Sequence, residues 1–341
     1  MRGIVKTIKA AALIAALSAV GAHLMAQTQS STPTAPQQEA AKTPPIPQLP
    51  PADPRNFTAA SPKPETVDAF LRQIWGYDPD RTWRVAGIQS TAAPGVSRVT
   101  VFVLEKAPGA QIQQLVLMVT PDGNHAIEGY NVIPFGEKPF AATRELLRKE
   151  ANGPYHGPAS KDLEIVEFVD LQCPHCKAAQ GIMEELAKDF PKAHIAVELF
   201  PLVSIHPSAY KAAKYAVCAQ QISTGAFFKY IHEVFETQEG LAPTTDDALL
   251  KAAATRAGLD PNAIATCANS QAARDSVDAQ MRLAAAAGVD QTPLLAVNGR
   301  MLPDFNAIPY DQLKKIIEYQ EKLDGLEAAA TTGAPSPSPK K

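Results

Sequence analysis

The first part of the chain alternates short apolar segments with turns, a pattern typical of a small sheet and one helix. Residues 64–76 carry apolar side chains at helical spacing and predict an amphipathic helix. Three segments rich in β-branched residues follow: TWRVAGIQS, SRVTVFVLE and QIQQLVLMVT. A turn at residues 121–123 precedes a return strand over residues 125–132, and residues 139–151 predict a connecting helix. The pattern therefore predicts a small α+β domain with an antiparallel sheet.

The second part of the chain follows the order strand, helix, strand. The mostly apolar run over residues 163–172 is typical of a buried central strand. A helix pattern begins immediately after it, in the sequence CPHCKAAQGIMEELAKDF, and residues 194–203 predict the next strand. Two strands joined by a helix are expected to lie parallel, with a right-handed crossover.

A long helical segment interrupts this second sheet. Residues 207–289 are almost wholly helical in pattern. The sequence TPLLAVNGRML then predicts a strand, a tight turn at Asn298 and Gly299, and a returning strand, and a last amphipathic helix follows in IPYDQLKKIIEYQEKL. The predicted fold class is α/β: a sheet domain with a helical insertion, preceded by the small α+β domain.

Residues 1–26 have the layout of a secretory signal peptide. Basic residues precede an apolar run that is rich in Ala and Leu. Cleavage after Ala22 and cleavage after Ala26 both fit, and an uncleaved membrane anchor is the alternative, because the run is barely long enough to span a bilayer. We expect an exported protein, periplasmic or secreted, which stays tethered to the membrane if the segment is not cleaved.

Two proline-rich segments flank the predicted domains. Residues 27–61 and 326–341 contain too few apolar side chains to form a core, which predicts a disordered tether and a disordered tail. The length between them predicts two domains, one over residues 62–150 with the connecting helix included and one over residues 160–325. The net charge is −3 and no basic block occurs, so nucleic-acid binding has no support.

Two cysteines stand where the buried strand meets its helix. Cys173 is expected at the helix N-terminus, where free backbone N–H groups and the helix dipole favour a reactive thiolate. Pro174 suits the first turn because it has no N–H to lose. Cys176 lies one turn further on, close enough to form a disulfide with Cys173 or to resolve a mixed disulfide. His175 is predicted to tune the pair through its imidazole, and a stabilised thiolate makes the pair oxidising.

Other uses of a Cys-x-x-Cys pair fit less well. Zinc needs four ligands, and no second pair follows at the spacing of a zinc finger. Haem attachment needs His directly after the second cysteine, where this chain has Lys177. A purely structural disulfide is the remaining alternative. We therefore predict no metal site and no cofactor other than the redox-active pair.

The segment EFVDLQCPHCKAAQ resembles the active-site segment of the DsbA-like thioredoxin family of thiol-disulfide oxidoreductases. The resemblance covers most of residues 160–325, including the helical insertion and the sequence TPLLAVNG. In this family a cis peptide bond before proline faces the cysteine pair. The resemblance gives that position to Thr292 and Pro293, whose backbone would bind an extended substrate chain without selecting its side chains.

The same resemblance implies a role for Glu167. It corresponds to the family's buried acid beneath the cysteine pair, and such a carboxylate could accept a proton from Cys176. The alternative is that Glu167 points outward on a sheet edge. The chain departs from the oxidase pattern at Gln180, where the best-known DsbA has a carboxylate, so tuning by a second acid is not expected here.

Cys218 and Cys267 both lie inside the helical insertion. Several DsbA-like proteins carry a second pair in comparable places, so the resemblance implies a structural disulfide between them. The alternative is two buried free thiols. Neither has a partner at Cys-x-x-Cys spacing, and we assign neither to catalysis.

These features predict an exported enzyme that forms disulfides in secreted proteins through the CPHC pair. The layout of the first domain and the connecting helix also resembles the disulfide isomerases DsbC and DsbG, which favours a dimeric isomerase as the alternative, with residues 62–150 as the dimerisation region. A non-enzymatic holdase is the third hypothesis. The expected partners are unfolded or misoxidised secreted proteins and a membrane redox partner.

Overall fold

The computed structural model describes residues 46–326, which divide into two compact units. The first unit comprises residues 46–68 and Asp78–Ile133, and the second comprises Ala69–Tyr77 and residues 134–326. The predicted signal peptide, the first part of the predicted tether and nearly all of the predicted tail lie outside the described residues.

An antiparallel sheet forms most of the first unit. Its five strands follow chain order: β1 (Arg81–Ser90), β2 (Ser97–Glu105), β3 (Gln113–Val119), β4 (His125–Glu128) and β5 (Asn131–Pro134). In β2, Val99, Val101 and Val103 are buried and the residues between them are more exposed. This alternation is typical of a sheet with one covered face, and it agrees with the predicted α+β domain.

The helix predicted at residues 64–76 is α1, Pro64–Trp75. Its first residue is a proline, which costs no hydrogen bond at that position. Val67, Phe70 and Leu71 are at most 1% exposed, so one face of the helix is fully covered. The spacing of these three residues is what predicts the helix from sequence.

The return strand expected over residues 125–132 is divided in two. Gly129, between β4 and β5, has a positive φ of 58°. A residue with a side chain rarely adopts this conformation, so glycine permits the sharp turn here. The period of the apolar residues does not reveal the break.

Part of the predicted tether packs against β1. The carbonyl oxygens of Leu49 and Pro50 accept hydrogen bonds from the Arg84 guanidinium at 2.9 and 2.8 Å. The N–H of Thr58 donates to the carbonyl of Ile88 at 2.9 Å. The predicted tether boundary at residue 61 is therefore too late, because these bonds use main-chain groups that composition does not reveal.

A mixed sheet forms the centre of the second unit. Its strands are β6 (Tyr155–His156), β7 (Glu164–Val169), β8 (His194–Leu199), β9 (Leu294–Val297) and β10 (Arg300–Pro303), in the spatial order β10-β9-β7-β8-β6. β7 and β8 pair in parallel and β9 pairs antiparallel with β7. Every residue of β7 and β8 is buried, as expected for strands covered on both faces. The helix α3 (Pro174–Asp189) connects them, which confirms the predicted strand, helix, strand unit.

The predicted helical insertion lies between β8 and β9. Its helices are α4 (Ala209–Ile222), α5 (Thr224–Thr237), α6 (Asp246–Arg256), α7 (Pro261–Ala268) and α8 (Gln271–Ala286). They share one apolar core, in which Tyr215, Phe227 and Tyr230 are fully buried, and this core also contains Cys173 and Cys176. The insertion therefore packs directly against the start of α3. The last helix, α9, is Tyr310–Leu323.

A disulfide joins α4 to α7 within the insertion. The sulfurs of Cys218 and Cys267 are 1.99 Å apart, and their Cα atoms are 5.9 Å apart. This is the pairing that the family resemblance implied.

The connecting helix predicted over residues 139–151 is α2, Ala141–Glu150. Leu147 of this helix is 1% exposed and packs in one cluster with Val166 and Phe168 of β7. The helix thus belongs to the second unit, whereas the prediction placed it with the first domain. Its few apolar residues show that it is buried on one face but not which sheet covers that face.

The turn between β9 and β10 requires glycine. Asn298 and Gly299 have positive φ values of 45° and 85°. A Cβ atom at Gly299 would lie 2.4 Å from the backbone nitrogen of Arg144 and 2.5 Å from the carbonyl oxygen of Phe140.

No helix between residues 46 and 326 is long and apolar enough to cross a bilayer.

Candidate active site

The CPHC sequence forms the first turn of α3. Cys173 is the N-cap residue, with extended backbone angles, and Pro174 is the first helical residue. The carbonyl of Cys173 accepts hydrogen bonds from the N–H groups of Cys176 and Lys177 at 3.1 and 3.3 Å. The structure therefore places the Cys173 side chain at the end of the helix where backbone N–H groups favour negative charge.

Both thiols are free and buried: Cys173 is 4% exposed and Cys176 is fully covered. The Cys173 thiol donates to the carbonyl oxygen of Thr292 at 3.6 Å. Thr292 precedes Pro293 in a cis peptide bond, and both residues are buried. The structure thus brings together residues that are 119 positions apart in the sequence.

Cys173 is the more acidic of the two thiols. A hydrogen bond from the Cys176 thiol lowers the pKa of Cys173 to about 5, and the backbone N–H groups of Cys176 and His175 act in the same direction, against the effect of burial. His175 itself is exposed. The interaction of His175 with Cys173 is thus a backbone hydrogen bond, whereas the prediction invoked the imidazole.

Cys176 has the opposite character. Burial raises the pKa of Cys176 well above its ordinary value, and the hydrogen bond with Cys173 and the nearby negative charges of Cys173 and Glu167 raise it further. The backbone N–H of Asp170 lowers it in part. The two thiols on one helical turn therefore differ in acidity, and Cys173 is the one that ionises first.

The first testable consequence is a thiolate at unusually low pH. In the reduced protein, thiolate absorbance in the ultraviolet should appear with a midpoint near the Cys173 pKa of about 5, and Cys173→Ser should remove it. Because the folded pKa lies below the ordinary value of 9.0, the thiolate stabilises the reduced fold fully above pH 9 and this gain is lost as pH falls through 5. A midpoint near 9 would contradict the prediction.

Glu167 lies beneath this pair on the central strand β7 and is 2% exposed. The alternative of an outward-pointing side chain on a sheet edge is therefore wrong. Burial raises the pKa of Glu167 to about 8, and a hydrogen bond from Gln180 opposes part of that rise. The Gln180 amide donates to Glu167 Oε1 at 3.5 Å and to the carbonyl of Cys176 at 3.2 Å. Gln180, where the chain departs from the oxidase pattern, thus links the acid to the second cysteine.

Sequence comparison identifies the domain that carries this site. The sequence profile of the thioredoxin family matches residues 149–319, half of the chain. The chain belongs to the thioredoxin family. The match confirms the thioredoxin part of the resemblance inferred from the CPHC segment and the thioredoxin-like part of the predicted fold class, and family membership supports thiol-disulfide exchange as the chemistry of the site.

A curated relative is the Na(+)/H(+) antiporter NhaA 3 of Salinispora tropica. It is 28% identical over 144 residues, which are 42% of this chain and 21% of the antiporter. The chain thus matches about a fifth of the length of that relative.

Two solved structures resemble the thioredoxin-family chain at low identity. Proteus mirabilis ScsC in a transitional conformation is 20% identical with a TM-score of 0.45, covering 54% of this chain and 79% of ScsC. A thioredoxin-like oxidoreductase from Silicibacter pomeroyi is 22% identical with a TM-score of 0.45, covering 52% of this chain and 98% of that protein.

Two glutamine side chains, neither of them predicted from the sequence, attach the candidate active site to the helical insertion. The amide of Gln238 donates to the carbonyl oxygens of Leu171 and Cys173 at 3.0 and 3.2 Å. The amide of Gln172 donates to the carbonyl of Leu241 at 2.9 Å. Nothing in the local sequence distinguishes a buried glutamine from one on the surface. These hydrogen bonds could therefore not be predicted from the sequence.

Asp170 and His206 are also close to the cysteine pair of the candidate site, and the sequence did not predict their roles either. Asp170 lies three residues before Cys173, and its Oδ2 is 2.8 Å from Nδ1 of His206. The available signal was a third acid in the buried run over residues 163–172, which also contains Glu164 and Glu167. A charge in such a run needs a buried partner.

Among the residues that the structure describes, no group of three His, Cys, Asp or Glu side chains could hold a metal ion.

Proposed function

We propose that this thioredoxin-family protein is an exported thiol-disulfide oxidoreductase that forms disulfides in secreted proteins. The supporting observation is the unequal environment of two thiols on one helical turn, with the pKa of Cys173 lowered to about 5 and that of Cys176 raised. A readily formed thiolate at Cys173 stabilises the reduced pair, which makes its disulfide a stronger oxidant. The signal-peptide pattern of residues 1–26 supports export.

One turnover transfers two electrons from the substrate to the cysteine pair. A substrate thiolate attacks Sγ of Cys173 in the disulfide form, the bond between Cys173 and Cys176 breaks, and Cys176 leaves as a thiolate. A second substrate thiolate attacks the substrate sulfur of the mixed disulfide, and Cys173 leaves. The substrate then carries a disulfide and the pair is reduced. A membrane redox partner accepts the two electrons before the next turnover, and the exchange needs no separate cofactor.

We assign substrate binding to the backbone at Thr292 and Pro293. The carbonyl of Thr292 lies 3.6 Å from Sγ of Cys173, where a substrate cysteine must arrive. Main-chain hydrogen bonds bind an extended chain without selecting its side chains. An enzyme of this kind would accept many unfolded or misoxidised proteins, provided that a cysteine reaches Cys173.

In this proposal Glu167 exchanges a proton with Cys176 when the disulfide forms or opens. The carboxylate is the ionised form above pH 8, so closure of a glutathione mixed disulfide at Cys173 should become faster as pH rises through 8. Glu167→Gln should remove the part of that rise with a midpoint near 8, leaving only the rise from ionisation of Cys176 itself, and should slow closure above pH 8 by roughly a hundredfold, the lower range for general base catalysis. The measurement is the rate of glutathione release from pH 6 to pH 9.

The stability of Glu167→Gln provides a control for this prediction. The folded pKa of Glu167 is raised from 4.5 to about 8, so its contribution to stability is present below pH 4.5 and is lost as pH rises through 8. The glutamine variant should therefore unfold at higher denaturant concentration than the wild type above pH 8. A variant that resolves mixed disulfides at the wild-type rate at every pH would remove Glu167 from the mechanism.

A dimeric disulfide isomerase is the second candidate, and an exposed apolar edge in the first unit favours it. Ile127, Tyr130 and Val132, on and between β4 and the edge strand β5, are 37%, 104% and 60% exposed. Exposed apolar side chains on a sheet edge are typical of a protein contact. In this candidate a second copy covers the edge, and the homodimer presents two cysteine pairs to one misoxidised protein.

Two ribonuclease assays test the proposed function. The full protein, with Cys173→Ser as the matched control, is given either reduced ribonuclease or scrambled, fully disulfide-bonded ribonuclease. We expect oxidation of the reduced enzyme and no reactivation of the scrambled one. Reactivation of scrambled ribonuclease would favour the isomerase. Absence of both activities, with suppression of aggregation that Cys173→Ser retains, would leave the non-enzymatic holdase.

A further inference from the structure

A buried carboxylate anchors the loop that carries the cysteine pair. Asp170 follows β7 directly, and its side chain is fully buried. Oδ1 accepts the N–H of Gln172 at 2.7 Å. Oδ2 accepts the N–H of Leu202 at 2.7 Å and lies 2.8 Å from Nδ1 of His206. The carboxylate therefore connects the segment before α3 with the segment after β8.

The main chain of Asp170 contacts both cysteines. Its carbonyl accepts the N–H of Cys173 at 3.1 Å. Its N–H donates to Sγ of Cys176 at 3.4 Å. A hydrogen bond to sulfur strengthens when the sulfur is charged, so this contact stabilises the Cys176 thiolate more than the thiol. This hydrogen bond lowers the pKa of Cys176, whereas burial raises it.

We propose that Asp170 is a positioning residue for disulfide exchange, because its buried carboxylate holds the Asp170 peptide with the N–H directed at the sulfur of Cys176. The inference rests on the proposed function. When a substrate thiolate attacks Cys173, the disulfide breaks and its electron pair moves to Sγ of Cys176. When Cys176 attacks a mixed disulfide at Cys173, the same sulfur starts as a thiolate. The N–H therefore acts on the charged sulfur in both directions.

The alternative is that Asp170 only holds the fold together. The two roles differ in which cysteine they affect. A positioning role changes steps in which Cys176 carries charge and leaves the reactivity of Cys173 alone. A loss of local structure changes both, because the carbonyl of Asp170 also binds the N–H of Cys173.

The first experiment compares these two steps in Asp170→Ala. Opening of the disulfide by glutathione is measured across pH, and alkylation of Cys173 by iodoacetamide is measured in a Cys176→Ala background. We expect opening to slow by roughly tenfold and alkylation to stay within roughly twofold, since the N–H of residue 170 remains but its hydrogen bond to the charged sulfur is weakened when the carboxylate no longer holds the peptide. Equal slowing of both reactions, or opening at the wild-type rate, would overturn the proposal.

The second experiment uses the partner of the carboxylate and does not depend on folding of Asp170→Ala. His206→Leu removes the donor to Asp170, and His206→Asn restores one, because the asparagine amide nitrogen is as many bonds from Cα as Nδ1 is. Opening should slow in His206→Leu and return toward the wild-type rate in His206→Asn. His232→Leu, at an exposed histidine of α5, is the matched control and should leave the rate unchanged.

The outcomes separate this inference from the proposed function. If the wild-type protein oxidises ribonuclease but Asp170→Ala and His206→Leu open their disulfides at its rate, the positioning role alone is wrong. If His206→Asn is as slow as His206→Leu, the hydrogen bond to Asp170 is not the cause. A wild-type protein without activity toward ribonuclease would refute the proposed function and this inference with it.

Discussion

Replacing Cys173 by serine should reduce the oxidation of ribonuclease to the uncatalysed background. The hydroxyl of serine neither ionises near neutral pH nor forms a mixed disulfide, so no covalent intermediate can arise. We expect the catalysed rate to fall by roughly three orders of magnitude or more, as it does in other enzymes when the nucleophile is removed. Oxidation is followed as recovery of ribonuclease activity from the reduced enzyme. Activity of Cys173→Ser equal to the wild type would refute the assignment.

Cys176→Ser provides the matched control for that result. It retains the thiolate at Cys173, which attacks a substrate disulfide, but it lacks the thiol that resolves the product. A mixed disulfide with the substrate should therefore accumulate and be visible as a larger species that disappears on reduction. The same species must be absent from Cys173→Ser. If instead Cys176→Ser formed no adduct and Cys173→Ser did, the roles of the two residues would be exchanged.

Removal of the disulfide between Cys218 and Cys267 should destabilise the second unit by about 4 kcal/mol in the chain-entropy description of a cross-link of this span. The bond closes a loop of 49 positions that includes α5 and α6. For a unit of this size the change corresponds to a fall in melting temperature of roughly 10 °C. The measurement is thermal unfolding of the variant with alanine at both positions, and exchange activity should survive below the new transition.

This stability prediction is best tested in a Cys173→Ser background. There a reductant acts only on the bond between Cys218 and Cys267, because no second disulfide can form at the active site. Reductant should lower the melting temperature of that protein and should leave the variant that also lacks Cys218 and Cys267 unchanged. Equal melting temperatures with and without the bond would show that the insertion holds its shape through its apolar core alone.

The sheet of the second unit and its insertion were predictable because their signals are local. β7 and β8 are short apolar runs with a helix pattern between them, and the turn at Asn298 and Gly299 is a two-residue sequence with a known geometry. The position of α2 was not predictable in the same way. Leu147 marks a buried face, but the cluster that covers it comes from residues of β7 further along the chain.

The residues of the candidate active site also fall into those that the local sequence predicts and those that it does not. The two cysteines lie three positions apart at the start of a helix, so spacing alone identifies them. Thr292 required a family resemblance, since its carbonyl meets Cys173 only after the chain has folded back. The contacts of Asp170 with His206 and of Gln238 with the cysteine loop join residues 36 and more than 60 positions apart. Such hydrogen bonds depend on distances that no local pattern contains.

The burial of the second cysteine under the insertion also bears on oxidative damage. Peroxide converts thiolates stepwise to sulfenic, sulfinic and sulfonic acids, and the last two steps are largely irreversible. Cys176 has no exposed surface and a raised pKa, whereas Cys173 is slightly exposed and ionises readily. Peroxide therefore attacks Cys173 first, and the covered Cys176 remains a thiol that can reduce the sulfenic acid by forming the disulfide before further oxidation occurs.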